Sequence, residues 1–208
     1  MNKQLIIIFV AVLLVVVGLS GCVIPTYEDE EGTHLGFPEE HKSNIDEKPS
    51  IDILELEEQI HSLINAERQN YGLSPLQYDA ELAVIARAHS QDMTINNFFS
   101  HNNLEGQDPT DRAKAAGYNC YKDLGGGWFS DGIAENIYQN SLYDGITYYD
   151  GVPVYDWNSQ SEIAFSTVIG WMNSYGHRQN ILSSSYDKEG IGVAISSDDE
   201  VYITQDFW

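Results

Sequence analysis

Residues 51–208 read as an α+β domain, and two observations carry that reading. Apolar residues recur at helical spacing in four separate stretches as far as about residue 175, and beyond that point the period shortens to two. A third pattern precedes the domain: residues 5–19 form an almost unbroken apolar run behind Lys3. A basic start, an apolar stretch of about 7–15 residues and a small-residue ending describe a secretory leader, so the domain is expected outside the cytoplasm.

In the first helix Ile53, Leu56, Ile60, Leu63 and Ile64 share one face. Asp52 or Ser50 can cap its start, and Gly72 suits a left-handed stop. Asp79 opens a second helix, in which Leu82, Ile85, Ala86, His89 and Met93 form an apolar stripe running toward Asn96, so His89 is expected in the core. Asp108-Pro109 caps and starts a third, shorter helix ending at Gly117. A fourth is expected from about 162 to 175, with Ile163, Val168, Ile169 and Met172 on one side and Gly176 behind it. Residues 191–195 and 201–207 are strand-like and the polar stretch 196–200 joins them as a closing hairpin. Residues 139–160 hold Tyr143, Tyr148, Tyr149, Tyr155 and Trp157 without clear period and read as a surface insertion. The alternative is an extra hairpin, since 146–149 and 152–157 flank Asp150-Gly151.

The 208 residues carry a formal charge of −22. Such a surface repels nucleic acid and anionic lipid and attracts divalent cations or basic partners, although solubility alone accounts for it. Nucleic acid is therefore not an expected partner. Residues 22–50 contain Glu28-Asp29-Glu30-Glu31, Glu39-Glu40 and Asp46-Glu47 with prolines at 25, 38 and 49, which predicts a flexible acidic tether. Leu19-Ser20-Gly21-Cys22 resembles the prokaryotic lipobox. That resemblance implies removal of residues 1–21, a diacylglyceryl group on Cys22 and anchoring in the lipid bilayer at the outer face of the cell membrane. The alternative is an uncleaved anchor, because residues 5–24 approach the roughly 20 that span a bilayer. Cys22 and Cys120 are the only cysteines, so a lipidated Cys22 leaves Cys120 without an intramolecular partner.

His34 and His41 fall in the tether and His61 and His89 on helices, whereas His101 and His177 each follow a helix end, where a loop fixed by rigid elements presents its side chain. Glu135 stands among apolar neighbours in Ile133-Ala134-Glu135-Asn136-Ile137, a position that demands a cation, proton or metal partner. Two imidazoles and one carboxylate from separate segments suit Zn²⁺ with water in the fourth position; the competing reading is a hydrogen-bonded network that ties helices to a sheet. Ser100 beside His101 reads as a turn residue, since adjacent residues rarely face each other as a catalytic pair.

Phe99-Ser100-His101 with Gly106 and Arg112, Ala116-Gly117-Tyr118, Ala134-Glu135-Asn136-Ile137, the stretch from Trp171 through His177 to Leu182, Gly190-Ile191-Gly192-Val193, and the closing strand 202–207 together resemble the prokaryotic branch of the CAP superfamily of cysteine-rich secretory, antigen 5 and pathogenesis-related 1 proteins, also called SCP-like extracellular. The resemblance runs over about 57–208. It implies a three-layer α-β-α sandwich whose central cleft, lined by two histidines and two acids, holds a divalent metal, often zinc. By position His101 and His177 match the histidines and Glu135 the first acid, with Ala134 where glycine is usual. For the second acid, Glu162 and the position of Ser166 are the two candidates. The expected function is a membrane-tethered module that binds a lipid, peptide or glycan ligand, a divalent metal, or both. A metal-dependent hydrolase of peptide, ester or cell-wall substrates and a surface adhesin acting through 139–160 are the alternatives, and catalysis is not the first expectation.

Overall fold

Asp52, Asp79, Asp108 and Ser159 each lie in extended backbone and accept hydrogen bonds from amides of the following turn, and each starts a helix. These are α1 (Ile53–Asn70), α2 (Ala80–Asn96), α3 (Pro109–Ala115) and α4 (Gln160–Asn173). The computed structural model describes residues 15–17, 23–29, 32–35 and 47–208, which belong to two compact units, Met1–Lys42 and Ser43–Trp208. In the first unit β1 (Val15–Val17), β2 (Val23–Asp29) and β3 (Gly32–Leu35) form an antiparallel sheet in that order. Strands thus occupy part of the segment expected as a flexible tether, where Val23, Ile24, Thr26 and Tyr27 favour extended backbone. Cys22, and with it the lipidation site, lies outside the described residues. No helix among the described residues is long and apolar enough to cross a membrane.

The second unit is built on a four-stranded sheet of β4 (Gln77–Tyr78), β7 (Ala134–Ser141), β10 (Lys188–Ile195) and β11 (Glu200–Phe207), in the order β4-β10-β11-β7. β10 and β11 are the expected closing hairpin, and β4 joins β10 in parallel. β7 has no counterpart among the expected strands, and because it runs to Ser141 the insertion begins only after it. That insertion takes the hairpin form: β8 (Tyr143–Tyr149) and β9 (Val152–Trp157) turn at Asp150 and Gly151, whose φ values of 50° and 81° are both positive. Positive φ at both central residues matches the right-handed twist of the flanking strands. A second, unforeseen hairpin joins β5 (Tyr121–Gly125) to β6 (Trp128–Asp131).

Strand register assigns the layers. Opposed residues of antiparallel strands share a face, so Gly190, Gly192 and Ala194 point the same way as Asp206, Thr204 and Tyr202, and these the same way as Glu135, Ile137 and Gln139. This face lies against α2: a Cβ on Gly192 would stand 1.9 Å from the Arg87 amide nitrogen, and one on Gly190 would stand 2.2 Å from that of Ala83. On the opposite face Asn136, Tyr138 and Asn140 meet α4 and the helix that follows it, while Glu189 meets α1 through His61. Helices on both faces of a mixed sheet make the α-β-α sandwich. Its core holds Leu56, Ile60 and Ile64 of α1, Ile163 and Trp171 of α4 and Ile191, Ile203 and Phe207 of the sheet, all fully buried. Glu57, also fully buried, accepts from the Val193 amide at 3.0 Å and from Arg87 Nε at 2.8 Å, which compensates the cost of burying its charge. Cys120 is buried with no disulfide, and burial pushes its thiol pKa up.

One expected boundary is corrected. The fourth helix stops at Asn173 because Ser174 is extended (φ −93°, ψ 122°), and α5 (Tyr175–Ile181) starts immediately after it. His177 therefore sits in a short helix instead of a loop.

Candidate functional site

His101 is presented by the loop that follows α2, whose last turn ends at Asn97 in the left-handed region (φ 51°). Arg112 of α3 fastens that loop, donating from one guanidinium nitrogen to the His101 carbonyl at 2.6 Å and to the Gln107 carbonyl at 3.2 Å. Ser100 caps the turn as expected, accepting from the Asn102 amide at 3.2 Å. The His101 ring is half exposed, and its Nδ1 lies 2.7 Å from Glu135 Oε1. The Glu135 side chain is only 1% exposed, and its other oxygen accepts from the second terminal nitrogen of Arg112. A buried carboxylate is thus met on one side by a guanidinium and on the other by an imidazole, the arrangement that makes burial of the charge affordable.

Behind Glu135, on the same face and directly across the ladder, stands Asp206, which is fully buried. Burial first and the charge of Glu135 second push the Asp206 carboxyl well above its ordinary pKa. His89 lies beside the same cluster, 1% exposed, and burial lowers its pKa. It is the core histidine that the stripe of α2 predicts.

His177 approaches from the other side of β7. Asn136 Nδ2 donates to the His177 carbonyl at 3.2 Å, and Asn180 Nδ2 donates to Asn136 Oδ1 at 2.9 Å and to the Glu135 carbonyl at 3.3 Å. α5 is therefore hung on the backbone and side chains of an edge strand. Burial first and the charge of His101 second lower the His177 pKa. Both disfavour the imidazolium, and the neutral ring is the form that binds metals.

The candidates for the second acid are placed differently. Glu162 Oε2 accepts from the Ser159 amide at 2.6 Å and closes the capping box of α4. Ser166 Oγ accepts from Asn140 Nδ2 at 2.7 Å and donates to the Ile163 carbonyl. Among the described residues no group of three or more His, Cys, Asp or Glu is gathered tightly enough to hold a metal ion. Of the predicted site residues, His101 and Glu135 are joined by a hydrogen bond. Sequence reasoning assigned no role to Arg112 or Asp206. The signal for Asp206 is a carboxylate on the same strand face as Tyr202 and Thr204, where a packed helix leaves no water to solvate it.

Comparison with known proteins agrees with this architecture. The CAP family of cysteine-rich secretory proteins matches residues 61–207. YkwD of Bacillus subtilis (strain 168) is 33% identical over 155 residues, which cover 74% of this chain and 49% of YkwD. The membrane protein YlbC of the same organism is 34% identical over 151 residues, 73% of this chain and 34% of YlbC. The chain thus spans half or less of the length of these relatives. Among solved structures, an extracellular protein containing an SCP domain from Bacillus anthracis superposes with a TM-score of 0.53 at 26% identity, over 74% of this chain and 40% of that one.

Proposed function

The chain belongs to the CAP family of cysteine-rich secretory proteins, and from that premise we propose that it is an exported domain, tethered to the membrane through Cys22, that binds a divalent metal and an envelope ligand at the cleft between His101 and His177. The observation that carries this reading is the bond from His101 Nδ1 to Glu135 Oε1. A carboxylate can only accept, so Nδ1 carries the hydrogen and Nε2 keeps its lone pair for an incoming electron-pair acceptor. Glu135 then acts through His101, fixing its tautomer and ring orientation, and Arg112 holds Glu135 in place. His177, whose pKa burial lowers, supplies the second lone pair. By ligand type zinc suits two imidazoles best, and when bound it would offer a Lewis-acidic position to a carbonyl or carboxylate of the ligand. The extracellular setting of the Bacillus anthracis relative and the membrane setting of YlbC support export and tethering.

Zinc titration of the full chain by calorimetry at pH 7.5 tests this. Saturable binding is expected, with about 2.7 kcal/mol of added stability at a hundred times the dissociation constant. His101→Ala and His177→Ala should each abolish it, and Glu135→Gln should weaken it by about 10- to 100-fold. Absence of Zn²⁺, Ca²⁺ and Mg²⁺ binding in the wild type, or binding indifferent to both histidines, overturns the metal reading and leaves the cluster a structural network.

A further inference from the structure

The hairpin of β5 and β6 gathers its exposed apolar side chains at one end. Leu124, Trp128 and Phe129 are 56%, 76% and 63% exposed, and residues 124–130 include no ionisable side chain. Between the strands Gly125, Gly126 and Gly127 all have positive φ (79°, 63° and 85°), a backbone that other residues disfavour, so the turn is made without side chains. Charges stop at the base, and each is met there. Lys122 Nζ donates to the Ser185 carbonyl at 3.0 Å and to Asp187 Oδ2 at 2.5 Å and stands 5.1 Å from the centre of the Trp208 ring. Lys114 pairs with Asp131 at 2.8 Å, and Asp123 Oδ1 accepts from the Gly125 amide at 2.8 Å. The base is thus fixed to the domain and locally paired, while the tip stands in water.

Trp128 and Phe129 are consecutive in β6 and so point to opposite faces of the ribbon. Phe129 stacks on Tyr121 with ring centres 5.5 Å apart on one face, and Trp128 lies on the other. A sugar ring or an extended peptide covers one face and leaves the other in water. A bilayer takes up both faces at once, and an amphipathic indole suits its boundary layer. The reach agrees: at about 3.3 Å per residue, Gly126 stands about 10 Å beyond the last charge at Asp123, and interfacial apolar groups sink about 5–10 Å into the headgroup and acyl boundary. The β8–β9 hairpin also exposes tyrosines but carries Asp150 in its turn, a charge that this layer would have to desolvate.

We propose that the tip of the β5–β6 hairpin docks the domain on a zwitterionic bilayer, with Leu124, Trp128 and Phe129 entering the boundary between headgroups and acyl chains. Charge selects the lipid: the chain carries −22, which opposes approach to an anionic surface, and an uncharged tip over a locally paired base suits headgroups of no net charge. This contact is made by the domain itself. It is additional to the anchor proposed at Cys22 and does not depend on it.

All four tryptophans, Trp128, Trp157, Trp171 and Trp208, lie in the second unit, so their emission reports on the domain and not on the apolar N-terminal run. The full chain is mixed with phosphatidylcholine vesicles whose acyl chains carry bromine, a short-range quencher, and its emission is compared with that in unbrominated vesicles. Quenching is expected in the wild type and should be lost in Trp128→Phe, which keeps the tip apolar and removes the reporter. Leu124→Ser and Phe129→Ser, both at exposed positions and so folded with an unchanged melting temperature, should each weaken docking about tenfold, the cost of leaving one such side chain in water. Equal emission in both kinds of vesicle, quenching that survives Trp128→Phe, or docking unchanged in the two serine variants overturns the proposal, and if quenching then requires only Cys22 the anchor stands without the tip. Stronger quenching in phosphatidylglycerol than in phosphatidylcholine overturns the choice of lipid. Saturable perturbation of Trp128 by a soluble chitooligosaccharide without quenching in vesicles makes the tip a sugar platform, and overturns it as well.

Discussion

Asp206 and Glu135 are paired residue to residue across the β11–β7 ladder, so two carboxyl groups lie side by side on the face that α2 and α3 cover. One meets Arg112 and His101, and the other is pushed well above its ordinary pKa by burial and by its neighbour's charge. An acid whose folded pKa is raised above its ordinary value near 3.8 stabilises the fold most below that value and loses the contribution as pH rises toward the folded pKa, because the unfolded chain then releases a proton that the folded chain keeps. The wild type should therefore lose up to about 1.4 kcal/mol per pH unit on this account above pH ~4. Asp206→Asn keeps a neutral donor beside Glu135 and lacks that slope. Its melting temperature relative to the wild type should rise steadily from pH 4.5 to 7. The buried His89 and His177, whose lowered pKa values cost stability as pH falls below about 6.5, act equally in both proteins and cancel in the difference. Parallel pH profiles would show that Asp206 is not held protonated.

The contact between α2 and β10 depends on the absence of a side chain. Gly192→Ala places a Cβ 1.9 Å from the Arg87 amide nitrogen, a backbone atom that moves only with the helix, and should cost about 3 kcal/mol or more. Gly170→Ala meets the Tyr138 ring at 2.5 Å, and a half-buried ring can swing aside, so about 1 kcal/mol is expected. Denaturant unfolding of both variants decides it: equal costs would mean that α2 is not seated on β10 as described.

The β8–β9 hairpin has an anchored base and a free tip. Trp157 is 8% exposed and stacks on Tyr155 with ring centres 4.7 Å apart, and Asn158 Nδ2 donates to Asp144 Oδ1 at 2.8 Å. Tyr148, Tyr149 and Val152 at the tip are exposed. Replacing residues 146–154 by a short glycine linker should leave the domain folded with little loss, because closure entropy depends weakly on loop length. Trp157→Ala should instead cost about 3 kcal/mol. Collapse on tip deletion would place the exposed tyrosines in the fold.

Tethering is tested at Cys22. Two acyl chains hold a protein stably on a bilayer where one is marginal, so Cys22→Ser should shift the protein from the membrane fraction to the soluble one or leave the precursor uncut. An intact mass showing an unmodified wild-type chain with residues 1–21 retained would end the lipoprotein reading.

Helix starts were legible because a cap is a local device: Asp52, Asp79 and Asp108 need only the amides two or three residues ahead of them. The hairpin turn at Asp150-Gly151 was legible for the same reason, and so was Glu135 as a carboxylate demanding a partner, whereas its bond to His101 joins segments 34 residues apart. β7 was hidden because an edge strand between two helical layers does not alternate polar with apolar. Its Asn136 and Asn140 are satisfied by Gln205 and Ser166 from other elements, so polar residues survive on an inward face. α5 was hidden because Gly176 reads locally as a helix stop, whereas a new helix starts at Tyr175 and its Asn180 docks on the Glu135 carbonyl. The same holds for Arg112. That a guanidinium pairs with a carboxylate is general chemistry, but that its partner is Glu135 is set by where α3 lands beside β7. No local periodicity encodes the distance between a helix and a strand, so only the packed fold decides it.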